Sequence, residues 1–129
     1  MEGLKVSDML GFRIWVGSCA FDGEFNQSAT ALALWKRLPL EGNGNRWGKE
    51  IYFSIPMELP VEEPVEVVEP GAIAYWPEGP ALCIFWGPTP VSRGGECRAY
   101  SPVSVVGKIN SDLSPLDELV DLRVRLEQA

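Results

Sequence analysis

One carboxylate lies in the most aromatic part of this sequence. Glu50 is the second residue of the segment KEIYFSIP, and the aromatic segment GAIAYWPEGPALCIFWGPTP follows it along the chain. An ionised carboxylate among aromatic side chains costs free energy unless it is paired. Two roles therefore fit Glu50: it binds the amine or amide of a ligand, or it forms an ion pair with Arg46, Lys49 or Arg98. The sequence leaves both open.

The aromatic residues near Glu50 are candidates for the walls of a binding groove, because small-molecule sites are mostly lined by apolar and aromatic side chains. The alternative for each ring is core packing. For Thr89, which lies between two prolines, a loop cap is the favoured alternative. The candidate ligand-binding residues are Trp47, Glu50, Tyr52, Tyr75, Trp76, Phe85 and Thr89. The segment Gly87 to Pro90 is expected to close the rim of the groove.

Several kinds of chemistry are disfavoured by composition. The chain has no histidine, which removes the commonest general base and transition-metal ligand. Its three cysteines form no CxxC pair. Cys83 is expected to be a small buried hydrophobic residue. We therefore predict no metal site and no cofactor, and the sequence identifies no catalytic residue.

Charge and hydropathy limit the partners. The formal net charge is −7, and no Lys/Arg cluster of the kind that binds nucleic acid is present. No apolar run approaches the length of about 20 residues that a membrane helix needs. The start of the sequence does not have the pattern of a signal peptide. We expect a cytoplasmic protein with reduced thiols that binds neither nucleic acid nor membrane.

Period-two alternation predicts that most of the chain forms strands, among them VSVVGKI and a short strand near Cys97. The segment EGNGN, rich in glycine and asparagine, is expected to be a loop. In KEIYFSIP, Ile51, Phe53 and Ile55 are expected to face a core, and Glu50 and Tyr52 the opposite side. In ALCIFW, one face carries Leu82, Ile84 and Trp86, and the other Ala81, Cys83 and Phe85. The hairpin formed by AIAYW and ALCIFW should thus contribute the side chains of one face to the core and those of the other face to the groove.

Two helices interrupt the strands. The first is predicted from Gln27 to Leu38, with Asn26 or Ser28 as N-cap, and is expected to cover one end of the fold with Ala31, Leu34 and Trp35. The second should start at Ser114. With about eight short strands, the prediction is a mainly β, closed eight-stranded antiparallel barrel with two short capping helices. Residues 1–129 should form a single domain.

The order and the amino-acid sequences of these segments resemble those of the cyclophilin-like domain family of small uncharacterised prokaryotic proteins. The similarity is carried by RWGKEIYFSIP, GAIAYWPEGPALCIFWGPTP and VSVVGKI, and it spans nearly the whole chain. It implies a cyclophilin-type barrel with a binding groove on its outer face. Related modules in amide-hydrolysing enzymes make a non-catalytic subunit of an amidohydrolase-like assembly one alternative role.

The sequence departs from the isomerase site that true cyclophilins carry. That site uses an arginine on the third strand and a tryptophan and a histidine in the loop after the aromatic strand. Here Glu50 lies on the cleft-facing side of the strand, and the loop GPTPVSRGGECRAYSP has neither Trp nor His. A carboxylate has the wrong charge to hold a prolyl carbonyl. The predicted function is therefore binding of a small molecule or peptide, with prolyl isomerisation at an atypical site as the alternative.

Overall fold

The structure is a computed structural model that describes residues 10–129, and one antiparallel sheet dominates this range. Within these residues there are one α-helix, α1 (Ala29–Trp35), one 3-10 helix (Ser114–Glu118), and ten strands. The strands are β1 (Gly11–Val16), β2 (Cys19–Phe25), β3 (Leu40–Asn43), β4 (Asn45–Arg46), β5 (Glu50–Ser54), β6 (Val65–Val68), β7 (Ala72–Trp76), β8 (Ala81–Phe85), β9 (Cys97–Ile109) and β10 (Arg123–Gln128).

The sheet is not the closed eight-stranded barrel predicted from the sequence. Its strands follow the order β3-β10-β1-β2-β9-β7-β8-β5-β4, with β6 paired to β9. No ladder joins the two ends of this path among the described residues. The end strands β3 and β4 are nevertheless separated only by Gly44, and Gly42 of β3 lies against Phe53 of β5. The sheet therefore curls round a core, but its two end strands, β3 and β4, do not pair with each other.

The observed strands differ from the predicted ones in two places. The segment EGNGN, rich in glycine and asparagine, was expected to be a loop, but it contributes to β3, which pairs with β10, and to β4, which pairs with β5. The predicted short strand near Cys97 and the predicted strand VSVVGKI are one long strand, β9. These short pairings depend on partners far along the chain, which local propensity does not show.

The first predicted helix is confirmed but is shorter than expected. Ser28 is its N-cap and accepts a hydrogen bond from the backbone N–H of Ala31 at 3.1 Å. Ala31 and Leu34 are buried in the main core, and Trp35 packs partly against it, as predicted. The second helix is a single 3-10 segment, whose Leu116 is also buried in that core.

The central strands carry apolar residues on both faces. Ile51 and Phe53 of β5 and Leu82 and Ile84 of β8 belong to the main core inside the curled sheet. A second, smaller apolar cluster lies on the outer face and includes Cys83 and Phe85 of β8, with Ala99 and Val103 of β9. The predicted division of β5 and β8 into an inner and an outer face is confirmed, and the outer cluster supports the site described next.

Candidate functional site

A cavity of about 200 Å³ opens on the outer face of the sheet. Its lining comes from the turn before β5, from β5 itself, and from β7, β8 and β9. The lining residues are Trp47, Glu50, Tyr52, Trp76, Cys83, Ala99, Tyr100 and Val103. One carboxyl group and one thiol are therefore enclosed by apolar and aromatic side chains.

Four aromatic rings form a continuous arc along this cavity. The ring of Trp47 meets the ring of Tyr100 edge to face, with centroids 6.0 Å apart. Tyr100 meets Trp76 at 6.2 Å, and Trp76 meets Tyr52 at 6.4 Å. Edge-to-face contacts at these distances are favourable for aromatic pairs. The arc thus holds its shape through contacts between its own members.

Strand register brings the carboxyl and the thiol together beneath the arc. Tyr52 of β5 pairs with Cys83 of β8, and Glu50 pairs with Phe85. Glu50 and Cys83 are therefore diagonal neighbours on the outer face, where long side chains are within reach of one another. The Cys83 thiol is near enough to the Glu50 carboxyl to influence the pKa of that carboxyl. Both residues are buried, with exposed fractions of 5% for Glu50 and 2% for Cys83.

The Glu50 carboxyl is the most unusual polar group of the described chain. Its Oε1 is buried without a hydrogen-bond partner in residues 10–129. Burial disfavours the charged form and raises the pKa of Glu50 to about 7, although the nearby Cys83 thiol acts in the opposite direction. Burial and the adjacent Glu50 carboxyl raise the pKa of the Cys83 thiol well above its usual value. At neutral pH, Glu50 therefore exchanges between charged and neutral forms while Cys83 stays a thiol.

The two basic residues closest to Glu50 in sequence bind elsewhere. The ammonium group of Lys49 forms an ion pair with Asp117 at 2.9 Å. Arg46 donates a hydrogen bond to the backbone carbonyl of Leu119 at 2.7 Å. Neither of the ion pairs considered from the sequence, with Lys49 or with Arg46, is present.

Arg98 is also committed to other carboxylates. Its Nε lies 2.6 Å from Glu96, and its Nη1 lies 2.9 Å from Glu66. The ion-pair alternative for Glu50 is therefore wrong for all three candidate partners. Within the described residues, no lysine or arginine lines the cavity.

Three of the seven candidate ligand-binding residues lie away from the cavity. Tyr75 is in the main core, 1% exposed, and its hydroxyl accepts a hydrogen bond from the backbone N–H of Leu59 at 3.0 Å. Phe85 is fully buried in the outer apolar cluster behind the site. Thr89 donates a hydrogen bond to the carbonyl of Arg98 at 2.5 Å, and no residue of the predicted rim from Gly87 to Pro90 lines the cavity.

The structure brings the other four candidates together, namely Trp47, Glu50, Tyr52 and Trp76. Sequence reasoning missed the lining from β9, most importantly Tyr100, whose ring is 68% exposed and links two parts of the arc. The available signal was the aromatic residue at the end of the predicted short strand near Cys97. Cys83 was correctly expected to be buried, but not to contact Glu50.

Comparison with known proteins defines the class to which this fold belongs. The sequence model of the Cyclophilin-like family matches residues 11–127, so the chain belongs to the cyclophilin-like family. The solution structure of a hypothetical protein from Archaeoglobus fulgidus is similar, with 34% sequence identity, a TM-score of 0.79 and full coverage of both chains. No curated protein matches the chain.

No helix in residues 10–129 has the length and apolar character needed to cross a bilayer. The same range contains no group of three or more cysteine, aspartate or glutamate residues arranged to hold a metal ion.

Proposed function

We propose that this protein binds a small molecule, or one side chain of a peptide, in the aromatic cavity around Glu50. The observation that carries the proposal is the Glu50 carboxyl, which lines the cavity and whose buried Oε1 has no partner in the described chain. An unsatisfied buried polar atom costs free energy, and a native protein retains one where it serves a purpose. A ligand group that donates a hydrogen bond to Glu50 would recover that cost.

The size of the cavity limits what enters it. A cavity of roughly 150 Å³ in another protein holds benzene, so the volume of about 200 Å³ found here suits a ligand slightly larger than that. A whole peptide is too large, and only one of its side chains would be enclosed. The aromatic arc would supply most of the contact area, and Glu50 would fix the orientation of the ligand.

A fragment screen by NMR tests this proposal. The five tryptophans provide indole N–H signals, and we expect bound fragments to shift those of Trp47 and Trp76. Trp76→Phe should weaken binding by about fivefold, because one ring of the arc becomes smaller and loses its hydrogen bond to Ser101. Trp15→Phe is the matched control, since Trp15 lies on β1 and stacks with Arg13. Fragments that shift the Trp15 signal but not those of Trp47 and Trp76 would contradict the proposal.

Prolyl isomerase activity is expected to be absent or weak. Catalysis of this rotation requires stabilisation of the twisted amide against a barrier of about 20 kcal/mol, and the cavity presents a carboxyl group rather than a guanidinium. A protease-coupled assay with a proline-containing peptide measures this directly. Turnover comparable to that of a cyclophilin control would favour the enzymatic alternative.

Capture of a stable partner enzyme in a pull-down would favour the role of a non-catalytic subunit. The cytoplasmic location stays a prediction.

A further inference from the structure

We propose that the cavity binds a small organic ammonium ion carrying at least one N–H, an inference that rests on the proposed function. The ammonium group would donate a hydrogen bond to the Glu50 carboxyl, which lines the cavity, and pair with its charge. Its carbon skeleton would lie against the rings of the aromatic arc. Four independent features of the site and the chain favour this class of ligand over neutral or anionic molecules.

The first feature is the unmatched carboxyl at the base of the cavity. Only 5% of Glu50 is exposed, and its Oε1 accepts no hydrogen bond from residues 10–129. A buried carboxylate is stabilised most by a cationic donor, because charge-assisted hydrogen bonds are about twice as strong as neutral ones. A quaternary ammonium ion would supply the charge but not the donor.

The second feature is the set of groups that face Glu50. On β8 the neighbour is the Cys83 thiol, which stays protonated because its pKa is raised. The other titratable groups lining the cavity are the phenols of Tyr52 on β5 and Tyr100 on β9. None of these three groups carries a positive charge, so a bound cation meets no competitor within the cavity.

The basic residues on the surrounding elements are occupied, which is the third feature. Lys49, beside Glu50 on the turn before β5, pairs with Asp117. Arg46 in β4 bonds to a backbone carbonyl and lies over the ring of Trp86, and Arg98 in β9 pairs with two glutamates. The negative charge on Glu50 is therefore left for a ligand.

The arc of rings and the overall charge supply the fourth feature. The faces of tryptophan and tyrosine rings attract cations, and cages of several such rings recognise ammonium groups in proteins. Trp47, Tyr52, Trp76 and Tyr100 all line the same cavity. The net charge of −7 raises the local concentration of cations near the surface. An anionic ligand would be repelled by both the carboxylate and the overall field.

Two probes of equal size and shape separate charge from apolar contact: cyclohexylammonium and cyclohexanol. Both present the same ring and a hydrogen-bond donor, but only the first is charged. At about pH 8, where Glu50 is mostly ionised, we expect cyclohexylammonium to bind wild-type protein at least ~10-fold more tightly than cyclohexanol, measured by NMR titration of the indole signals. Glu50→Gln should bring the two affinities to within about threefold of each other.

Glu58→Gln is the matched control, because Glu58 is exposed and its replacement removes the same unit of net charge. It should retain the preference for the cation. Lowering the pH from about 8 to about 6 should weaken cyclohexylammonium binding to wild type by about tenfold, since a protonated Glu50 cannot pair with a cation. The same change should leave cyclohexylammonium binding to Glu50→Gln nearly constant.

The outcomes distinguish this inference from the proposed function. Equal affinities for the two probes in wild type, or a cation preference that survives Glu50→Gln, would overturn the inference. In that case, shifts of the Trp47 and Trp76 signals on binding cyclohexanol would still support a ligand-binding cavity. Failure of both probes together with an empty fragment screen would overturn the inference and the proposed function alike.

Discussion

The free energy of unfolding of the wild-type protein is expected to fall by about 2.5 kcal/mol as the pH rises from about 5 to about 8, and that of Glu50→Gln to stay nearly constant. The pKa of Glu50 is raised from 4.5 to about 7 in the folded protein by burial. Between these two values the folded state binds a proton that the unfolded state releases. Stability therefore decreases with rising pH across this interval and levels off above it.

The composition simplifies the interpretation of stability changes between about pH 5 and about pH 8. With no histidine in the sequence, the change of charge of Glu50 near neutrality is not overlaid by that of an imidazole. Hydrogen bonds and neighbouring charges hold the pKa values of Asp22, Glu96 and Asp117 below their usual range, so these groups act at lower pH. Their effect also has the opposite sign, because they lose stabilising contacts as the pH falls.

Urea denaturation across this pH range measures the effect. Glu58→Gln serves again as the control, and its stability should run parallel to that of wild type because Glu58 is exposed. At pH 8 the Glu50→Gln variant should be the more stable protein, since it no longer buries a charge. A wild-type curve that is flat between pH 5 and pH 8 would show that Glu50 is paired in solution, and the basis of the proposed site would be lost.

Gly48→Ala is expected to destabilise the fold by about 3 kcal/mol and to weaken ligand binding. Gly48 has a φ of +63° and lies directly after Trp47. A Cβ at this position would lie 2.8 Å from the Cα of Thr89 and 2.9 Å from the carbonyl oxygen of Pro88, both of which are backbone atoms. The turn that holds Trp47 would have to move away from the loop beside it.

Gly94→Ala separates steric conflict from backbone strain. Gly94 has a similar φ of +70°, but a Cβ there would meet nothing within 4 Å. It should cost about 1 kcal/mol, the strain of a positive φ alone. Chemical denaturation of both variants, with a ligand titration of each, makes the comparison. Equal losses of stability would mean that the contact between the Trp47 turn and the Thr89 loop does not constrain the structure.

The alternation of side chains explains much of what the sequence could predict about the site. In β5, Ile51 and Phe53 face the core, so Glu50 and Tyr52 had to face outward, as the structure shows. The same rule applies to β7, although two adjacent residues of that strand are both among the predicted groove residues. Tyr75 and Trp76 are adjacent in that strand and point to opposite faces, so only one of them could line the outer cavity.

Other features depended on tertiary structure more than on the local sequence. Lys49 is next to Glu50 in sequence, yet its partner is Asp117 on the 3-10 helix. Strand β3 forms only because β10 pairs with it from the far end of the chain. Tyr100 joins the aromatic arc because β9 runs beside β7, and a segment containing glycine, proline and serine does not reveal such a path. Long-range pairing decided each of these cases.

The two-faced strand β8 also has an evolutionary consequence. Leu82 and Ile84 maintain the main core, whereas Cys83, between them, contributes to the cavity. Selection can therefore act on alternate positions of one short strand for different purposes. Members of this family can therefore diverge in the side chains of the outer face while the inner face preserves the common architecture. We expect relatives to vary more at the positions of Cys83 and Phe85 than at those of Leu82 and Ile84, which should remain aliphatic.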